Sequence, residues 1–418
     1  MMEYGLVGEK LGHSFSPEIH SKLADYKYEL CEVPKDKIDE FFEKREFSGL
    51  NVTIPYKETV IPHLDFISDE AREIGAVNTV VNRGGKLYGY NTDFYGMKAL
   101  AEKNGISMEG RKVLVAGNGG TSKTAMYTAK ACGAREVYRL SRRPSEGCIT
   151  YKEALKSHSD AEIIINTTPA GMYPRLDGDD SIALEPEKFP RLEGVIDAVF
   201  NPLRTNLVVR AEKMGVKAVG GLYMLVAQAA YAAEIFTGRE IDRTLTDEIF
   251  TFLERSKENI VLTGMPASGK STVGKKIAGS LDREFFDSDE YIVKKAGKTI
   301  PEIFETEGEA SFRDIESEVI KELSAKGGAV IATGGGAVLR DENVLALKRN
   351  GRIFFIDRPL QKLIVTDDRP LSSNRESLEK RYRERIDIYR STADVTVNGD
   401  GEVYEVAGMI KKEFFKTK

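Results

Sequence analysis

The stretch Gly264-Met265-Pro266-Ala267-Ser268-Gly269-Lys270-Ser271-Thr272 decides the fold of the last part of the chain. It follows an apolar run at 260–262 and leads into a segment with helical periodicity. A strand, a loop of the pattern GxxxxGK[ST] and a helix form a phosphate-binding loop, in which backbone N–H groups and the helix N-terminus make an anion site. In such a loop Lys270 reaches the β- and γ-phosphates, and the Ser271 hydroxyl binds Mg²⁺. The sequence therefore predicts a nucleotide site about three-fifths of the way along the chain.

Length and composition describe a multidomain protein. A chain of 418 residues is too long for one ordinary core, and two or three domains are expected. Hydrophobic residues at 41% and charged residues at 30% are typical of soluble proteins, and a net charge of −5 argues against a nucleic-acid scaffold. The three cysteines lack metal-ligand spacing, which indicates reduced thiols. With no leader and no membrane-length apolar run, we predict a cytoplasmic protein that binds neither nucleic acid nor membrane.

A second glycine-rich turn lies in the first half of the chain. The apolar strand predicted at 112–116 runs into Gly117-Asn118-Gly119-Gly120-Thr121 and then into a helix, which is typical of a dinucleotide-binding unit. The next predicted strand, 136–140, ends in Ser141-Arg142-Arg143. Arginine at this position suits a 2′-phosphate, whereas an acidic residue would read a ribose hydroxyl. NADP is therefore favoured over NAD, with a solvated basic turn as the alternative.

Polar residues also follow the other strands predicted in the first 250 residues. The segment from Gly49 to Lys57 reads as a strand that ends on a lysine, and Asp93 follows another strand. Taken singly, both charges are better explained as surface residues, and Ser14 is better explained as a helix N-cap. The amide of Gln228 needs a hydrogen-bond partner in so apolar a helix, and protein or water inside the fold could supply it as well as a ligand. The alternation of strands and helices from 112 onward predicts a parallel sheet covered on both faces.

Seven motifs in the same order give these residues a common explanation. HSFSP, GLNVTIPYKE, GAVNT, NTDxxG, GxGGTSK, NTTPAGM and GLYMLVAQAA resemble the shikimate dehydrogenase family, over residues 3–255. The resemblance implies a dehydrogenase domain at 1–256. It would contain a substrate-binding α/β lobe (1–95 and 225–256) and a Rossmann lobe (96–224) that binds NADP(H).

The resemblance also implies a reaction, the NADPH-dependent reduction of 3-dehydroshikimate to shikimate. Lys57 would supply the proton as general acid, with Asp93 as its polar partner. The residues implied in substrate binding are Ser14, Ser16, Thr53, Asn78 and Gln228. Those implied in cofactor binding are Asp69, Gly117, Asn118, Gly119, Gly120, Thr121, Arg142, Arg143, Thr168, Ala198, Gly221 and Met224. Phe200 stands where the family usually has a tyrosine.

Carboxylates, arginines and glycines recur after the phosphate-binding loop. Asp287 and Asp289 follow a predicted strand and could share a metal-and-hydroxyl site or serve as a helix N-cap. Arg313 and Glu316 are three residues apart and could form a simple helical ion pair. With GxxxSGKST, DSD, EGExxFRxxE, GGGAV, RPL and RxxxY, residues 259 to about 400 resemble the shikimate kinase family. The resemblance implies a P-loop kinase domain at 257–418 with a central parallel sheet.

In that family the matching residues bind MgATP and shikimate. Asp289 would deprotonate the 3-hydroxyl, while Lys270 and Arg369 would neutralise charge on the transferring phosphoryl group. Arg313, Gly335 and Arg385 are implied in substrate binding. Ala267, Ser268, Gly269, Ser271 and Thr272 are implied in nucleotide binding, and Ser271 and Asp287 in Mg²⁺ binding. Two departures are Ala267, which replaces a loop glycine, and the segment before Arg369, which lacks the arginine that commonly packs on adenine.

The two halves support each other, because the product of the first reaction is the substrate of the second. The sequence thus predicts an α/β bifunctional enzyme that uses NADP(H), ATP and Mg²⁺, with a homodimer as its candidate assembly. Two alternatives remain open: a quinate/shikimate dehydrogenase of relaxed specificity fused to a kinase, and a non-catalytic sensor like the quinate repressors. The sensor would have lost catalytic positions, yet Lys57, Asp93, Lys270, Asp289 and Arg313 are all present.

Overall fold

The structure is a computed structural model that describes residues 2–12, 14–174, 184–363 and 375–416. The chain divides into two compact units, Met1–Phe252 and Leu253–Lys418. Within the described ranges, no helix has both the length and the apolar character needed to cross a bilayer. The predicted bounds of the domains and lobes stay predictions.

A mixed six-stranded sheet forms the first part of the first unit. Its elements are β1 (Met2–Gly8), α1 (Ser16–Leu23), β2 (Tyr28–Glu32), α2 (Ile38–Lys44), β3 (Phe47–Val52), β4 (Phe66–Ile67), α3 (Asp69–Ile74), β5 (Thr79–Arg83) and β6 (Lys86–Tyr90), with short 3₁₀ helices at Lys35–Lys37 and Ile61–His63. In the order β2-β1-β3-β5-β6-β4, strand β1 is parallel to β2 and β3, and β5 is antiparallel to β3 and β6. This pairing brings the ends of β1, β3 and β6 and the start of β5 to one edge, where Thr53 follows β3 and Asn78 precedes β5.

The strand predicted from Gly49 to Lys57 is shorter than expected. It ends at Val52, and residues 54–60 form turns. Pro55 has no N–H group and cannot continue a strand ladder. The turn is anchored by the buried Tyr56, whose backbone N–H donates to the Thr53 carbonyl (2.9 Å) and whose hydroxyl donates to the Val33 carbonyl (2.5 Å). Lys57 therefore extends from an anchored turn and not from a strand end.

The second sheet of this unit is entirely parallel, which confirms the predicted Rossmann-type α/β class. Its elements are α4 (Thr92–Lys103), β7 (Lys112–Ala116), α5 (Gly120–Ala131), β8 (Glu136–Ser141), β9 (Ile149–Thr150), α6 (Tyr151–Ser157), β10 (Ile163–Asn166), β11 (Gly194–Asp197), α7 (Asn206–Lys213) and β12 (Lys217–Val219), with a 3₁₀ helix at Pro186–Lys188. The strand order is β12-β11-β10-β7-β8-β9. The glycine-rich turn follows β7, near the centre of the sheet.

Two helices, α8 (Leu222–Thr237) and α9 (Arg243–Lys257), follow the second sheet, and the division between the units falls within α9. Helix α8 packs closely on α4 at Gly96, where an added β-carbon would lie 2.7 Å from the Met224 carbonyl oxygen. The missing side chain lets the two backbones approach. This contact holds Gln228 of α8 against the first turn of α4, which carries Asp93.

A five-stranded parallel sheet forms the core of the second unit, as predicted. Its elements are β13 (Asn259–Thr263), α10 (Lys270–Leu281), β14 (Phe285–Asp287), α11 (Ser288–Ala296), α12 (Ile300–Thr306), α13 (Gly308–Ser324), β15 (Val330–Ala332), α14 (Asp341–Asn350), β16 (Gly351–Asp357), α15 (Arg375–Thr392), β17 (Val395–Asn398) and α16 (Val403–Phe415), with 3₁₀ helices at Ala337–Leu339 and Leu360–Lys362. The order β14-β15-β13-β16-β17 puts the phosphate-binding loop, which follows β13, at the centre of the carboxyl edge.

Candidate active sites

Lys57 and Asp93 meet at the edge of the first sheet. The Lys57 Nζ donates to Asp93 Oδ2 at 2.5 Å, and both side chains are largely buried. Asn78 Nδ2 donates to the other carboxylate oxygen at 2.9 Å. Asn78 Oδ1 in turn accepts from the backbone N–H of Thr92 (2.7 Å) at the start of α4. The lysine is thus directed by a carboxylate whose own position is held from the opposite side.

A chain of buried hydrogen bonds connects this pair to strands β2 and β3. The Tyr28 hydroxyl donates to Asn51 Oδ1 at 2.7 Å. Asn51 Nδ2 donates to Thr79 Oγ1 (3.1 Å), and Thr79 Oγ1 donates to Asn78 Oδ1 (3.2 Å). Burial raises the pKa of Tyr28 well above its usual range, so this phenol stays a hydrogen-bond donor. The network fixes polar groups from β2, β3 and β5 in one layer.

The remaining predicted substrate residues differ in their hydrogen bonds. Ser14 Oγ accepts from the Ser16 N–H (3.2 Å), and helix α1 begins without a side-chain cap, so neither serine is its N-cap. Thr53 lies directly after β3, and its hydroxyl makes no hydrogen bond to another residue of the described ranges. Gln228 Oε1 accepts from Thr92 Oγ1 (3.4 Å), and its Nε2 donates to the Leu225 carbonyl (2.9 Å). Its amide therefore has partners inside the fold, one of the options left open by the sequence.

A first cavity, of about 1040 Å³, opens beside Lys57 and runs along the glycine-rich turn. Among its lining residues are Lys57, Gly117, Asn118, Gly119, Gly120, Thr121, Ser141, Arg142, Arg143, Ser145 and Thr168. Gly117 has a φ of +121°, and a β-carbon there would collide with Thr167 Oγ1, so only glycine fits. Gly119 precedes helix α5, whose N-terminus points its unpaired N–H groups at the cavity. The cavity is large enough for a dinucleotide.

Four predicted cofactor residues do not line the first cavity. Asp69 is highly exposed and pairs with Arg72 (3.0 Å), so the structure does not bring it to the other cofactor residues. Gly221 packs on the backbone of Ala198, where a β-carbon would collide with the Ala198 carbonyl oxygen. Met224 is buried in the core between α8 and the second sheet. Ala198 and Gly221 lie at the end of β11 and the start of α8, whereas Asp69 lies at the start of α3.

In the second unit, the phosphate-binding loop closes around Lys270. Its Nζ donates to the carbonyls of Gly264 and Met265, both at 2.9 Å, and the side chain is buried. Gly269 ends the loop with a φ of +92° and precedes α10. Ala267, which replaces the expected glycine, also takes a left-handed φ of +64°. Its β-carbon makes this conformation cost about 1–2 kcal/mol, which a glycine would avoid.

The carboxylates after β14 lie opposite the loop. The Ser271 hydroxyl donates to Asp287 Oδ2 at 2.5 Å, and Asp287 Oδ1 accepts from the Asp289 N–H at 3.0 Å. Asp287 is thus the N-cap of α11, which was one of the two interpretations of its position. It also contacts the hydroxyl group predicted to bind Mg²⁺. Asp289 Oδ1 lies so near Gly334 that a β-carbon there would collide with it. Asp287, Asp289 and Ser271 line a second cavity of about 460 Å³.

Arginines line the far wall of the second cavity. Arg313 donates to Glu316 Oε2 at 2.7 Å, so the predicted helical ion pair forms and also faces the cavity. Burial raises the pKa of Glu316, although Arg313 opposes the effect. Arg385 donates to the Gly335 carbonyl (3.1 Å), so Gly335 contributes by orienting an arginine. Arg381, which the sequence analysis missed, lies one helical turn before Arg385 and lines the same cavity.

The other residues predicted to bind the nucleotide lie in the phosphate-binding loop or directly after it. Ala267, Gly269 and Thr272 line the second cavity, whereas Ser268 is almost fully buried beneath it. Arg369 lies outside the described residues.

Three family models match the chain. Residues 6–80 match the shikimate dehydrogenase substrate binding domain, 221–246 the shikimate 5'-dehydrogenase C-terminal domain, and 266–414 shikimate kinase. A shikimate dehydrogenase (NADP(+)) of Clostridium perfringens is 37% identical over 271 residues, covering 61% of this chain and 99% of the relative. The chain belongs to the shikimate dehydrogenase family. Residues 266–414 add a shikimate kinase domain to it.

Solved dehydrogenases share the fold of the first unit. A chorismate mutase/shikimate 5-dehydrogenase fusion protein from Clostridium acetobutylicum has a TM-score of 0.56 and 37% identity, covering 60% of this chain and 97% of its own. The shikimate 5-dehydrogenase of Thermus thermophilus, solved with NADP(H) and shikimate, has a TM-score of 0.52 and 29% identity, covering 60% and 98%. These findings favour the predicted family over the two alternatives.

One polar cluster of the dehydrogenase unit was missed by the sequence analysis. Asp197 is fully buried, accepts from Asn166 Nδ2 (2.9 Å), Thr205 Oγ1 (2.6 Å) and the Val199 N–H (3.0 Å), and ties β10 to β11. Burial raises the pKa of Asp197 from 3.8 to about 6, with the hydrogen bonds opposing the shift. The available signal was an acidic residue at the end of an otherwise apolar strand.

Stability of the dehydrogenase unit is expected to depend on Asp197 between pH 4 and 6. Over this range the unfolded carboxyl loses its proton while the folded one keeps it, so the free energy of unfolding falls as pH rises, by about 2–3 kcal/mol. Asp197→Asn should remove this fall. Urea unfolding at several pH values, followed by circular dichroism, measures the difference; a wild-type-minus-variant difference that does not change with pH would contradict it.

Proposed function

We propose that this protein is a bifunctional enzyme that reduces 3-dehydroshikimate to shikimate with NADPH and then phosphorylates the 3-hydroxyl of shikimate with MgATP. The observation that carries the proposal is that one chain holds two cavities with complementary chemistry. The first pairs an ammonium group with a dinucleotide-sized cleft, and the second pairs a carboxylate with a phosphate-binding loop. The product leaving the first site is the substrate of the second.

In the dehydrogenase site, Lys57 protonates the ketone oxygen of 3-dehydroshikimate. Bound NADPH supplies the hydride. Asp93 orients the Lys57 ammonium at 2.5 Å, and Asn78 prevents the carboxylate from turning away. Ser14 and Ser16 bind the substrate carboxylate, while the ring hydroxyls are bound by Thr53, Asn78, Asp93 and Gln228. Support comes from the buried network, which holds Asn78 in place and, through it, the Asp93 carboxylate that Lys57 contacts.

The residues around the first cavity fit NADP(H). The glycine turn and the N-terminus of α5 supply N–H groups to the pyrophosphate, and Gly117 leaves room for its close approach. Arg142 and Arg143 bind the 2′-phosphate, assisted by the nearby hydroxyls of Ser141 and Ser145, which line the same cavity. Asp69 is left out of the proposed set because of its position.

Replacing Arg142 or Arg143 with alanine is expected to reduce preference for NADP⁺. The value of kcat/KM for NADP⁺ should fall about tenfold or more, because a charge-assisted contact to the 2′-phosphate is lost. The value for NAD⁺, which has no such phosphate, should change less than about twofold. Steady-state kinetics with both cofactors measure the ratio, and Arg135→Ala on the same lobe is the matched control. An equal loss with NAD⁺ would contradict the assignment.

In the kinase site, Asp289 orients and deprotonates the 3-hydroxyl of shikimate. Arg313 and Arg385 bind the substrate carboxylate, and the Gly335 carbonyl fixes Arg385. Lys270 neutralises charge on the transferring phosphoryl group. Arg369, outside the described residues, remains a predicted partner in this role.

The second cavity also fits Mg²⁺ together with a nucleotide. Ser271 and Asp287 would hold the ion, and their contact brings hydroxyl and carboxylate oxygens together beside the loop. Within the described ranges, no cluster of three or more His, Cys, Asp or Glu side chains forms a metal site. Mg²⁺ usually takes one or two protein ligands and completes its shell with phosphate oxygens and water, so the two oxygens of Ser271 and Asp287 would suffice.

A coupled assay tests the proposed function. The full chain is incubated with 3-dehydroshikimate, NADPH and MgATP, and shikimate 3-phosphate is detected by mass spectrometry. We expect one NADPH oxidised and one ADP formed for each phosphorylated product. NADPH oxidation that yields shikimate but no phosphorylated product would reject the kinase half, and no oxidation with 3-dehydroshikimate would reject the dehydrogenase half. The homodimer and the cytoplasmic location stay predictions.

A further inference from the structure

The central position of the phosphate-binding loop divides the carboxyl edge of the second sheet into two halves. Strands β14 and β15 lead into Asp287, Asp289 and the glycines at 334–336, which line the cavity assigned to shikimate. Strands β16 and β17 end on the other side of the loop. A nucleotide whose terminal phosphate faces the shikimate hydroxyl must extend its nucleoside away from the acceptor, towards the β16 and β17 half.

Arg358 is the first residue after β16 on that half. Its backbone is fixed, because its N–H donates to the Ile356 carbonyl (3.1 Å) and Gly399 packs against it; a β-carbon on Gly399 would lie 3.1 Å from the Arg358 nitrogen. Its side chain extends to the phosphate-binding loop. A β-carbon built on Gly269 would lie 3.9 Å from Arg358 Nη1. The guanidinium group therefore lies beside the last loop residue before α10.

Within the described ranges, the Arg358 guanidinium makes no hydrogen bond or ion pair, and its Nε is buried without an acceptor. Neighbouring cations on the same half are paired: Arg390 with Asp357 (3.2 Å) and Lys362 with Asp400 (2.5 Å). Leaving a buried charged donor unpaired is unfavourable. An arginine in this state beside an anion site is positioned for an anionic ligand.

We propose that Arg358 binds the α-phosphate of the adenine nucleotide. A guanidinium group is planar, always charged and suited to phosphate oxygens. Its place on the nucleoside side of the loop selects the α-phosphate, since Lys270 and the loop N–H groups serve the β- and γ-phosphates. The inference rests on the proposed kinase function and adds a nucleotide-binding residue that the motifs did not indicate.

Calorimetry on the full chain tests the proposal with two probes, MgADP and magnesium pyrophosphate. Arg358→Met should weaken MgADP binding about tenfold or more and leave pyrophosphate, which has no nucleoside or α-phosphate, within about twofold. Arg358→Lys, which keeps the charge, should recover most of the MgADP affinity. KM for shikimate should stay unchanged in both variants. Arg390→Met, which removes a paired arginine from the same half, is the matched control and should bind both probes normally.

Four other outcomes would contradict either the α-phosphate role of Arg358 or the kinase function. Equal loss of both probes in Arg358→Met would mean that the residue shapes the loop and does not read the α-phosphate. If Arg358→Lys binds MgADP as weakly as Arg358→Met, Arg358 stacks on the base and does not bind the α-phosphate. MgADP binding that is tight in the wild type and unchanged in Arg358→Met would overturn this inference alone. Absence of MgADP binding by the wild type would reject the kinase function and the inference with it.

Discussion

Lys57→Ala is expected to lower the dehydrogenase kcat on the order of 10³-fold, because the ketone oxygen loses its proton donor. Kinase activity should be unchanged, since Lys57 belongs to the first unit. NADPH oxidation with 3-dehydroshikimate and ADP release with shikimate, measured on the same preparation, give the two rates. Each serves as an internal reference for the other.

The Lys57–Asp93 hydrogen bond allows a sharper test. Asp93→Asn should lose a similar factor, and the double variant should lose little more than either single one, because the two groups act as one unit. Lys98→Ala, an exposed lysine on helix α4, is the control and should keep full activity. A Lys57→Ala variant with kcat within about tenfold of the wild type would remove this residue from the role of general acid.

The second large effect is expected from Asp289→Asn. The kinase kcat should fall between about 10² and 10⁴-fold, because the 3-hydroxyl loses the group that accepts its proton. KM for MgATP should change little, since the phosphate-binding loop is untouched. Dehydrogenase activity of the same chain should remain at the wild-type level.

The control for this variant lies one residue away. Glu290 is exposed on the same turn of α11 and pairs only weakly with Lys275 (3.5 Å). Glu290→Gln should retain kinase activity, which would separate a general charge effect from the position of Asp289. Loss of both activities in a folded Asp289→Asn protein would contradict two independent sites.

Several features of the sites were readable from residue order. The glycine turn at 117–121 and the phosphate-binding loop are local patterns, and each forms directly after the predicted strand. The Arg313–Glu316 pair follows from helical spacing of three. Asp287 could be assigned two roles from its place before a helix: the structure shows the N-cap, and metal binding stays a prediction beside its contact with Ser271.

Other features could not be read in this way. Lys57 was expected at a strand end, but the local hydrogen bonds of Tyr56 and the missing N–H of Pro55 turn the chain before it. Asp69 has a suggestive sequence position, yet helix α3 directs it to solvent. Arg358 and Arg381 look like ordinary surface arginines in sequence. Only the strand order and the helix position reveal that one lies beside the loop and the other lines the cavity.

The sequence by itself determined the two phosphate-recognition loops, the order of strands and helices and the family, because turns, helices and capping depend on residues close together in the chain. Tertiary structure decided which polar groups meet. Lys57 and Asp93 are 36 positions apart, and Thr92 and Gln228 are 136 apart. Contacts over such separations depend on strand order and on the close packing of α4 and α8 at Gly96, neither of which has a local signal. The same holds for the unpaired Arg358, whose state is defined by the absence of any neighbouring acceptor in the described fold.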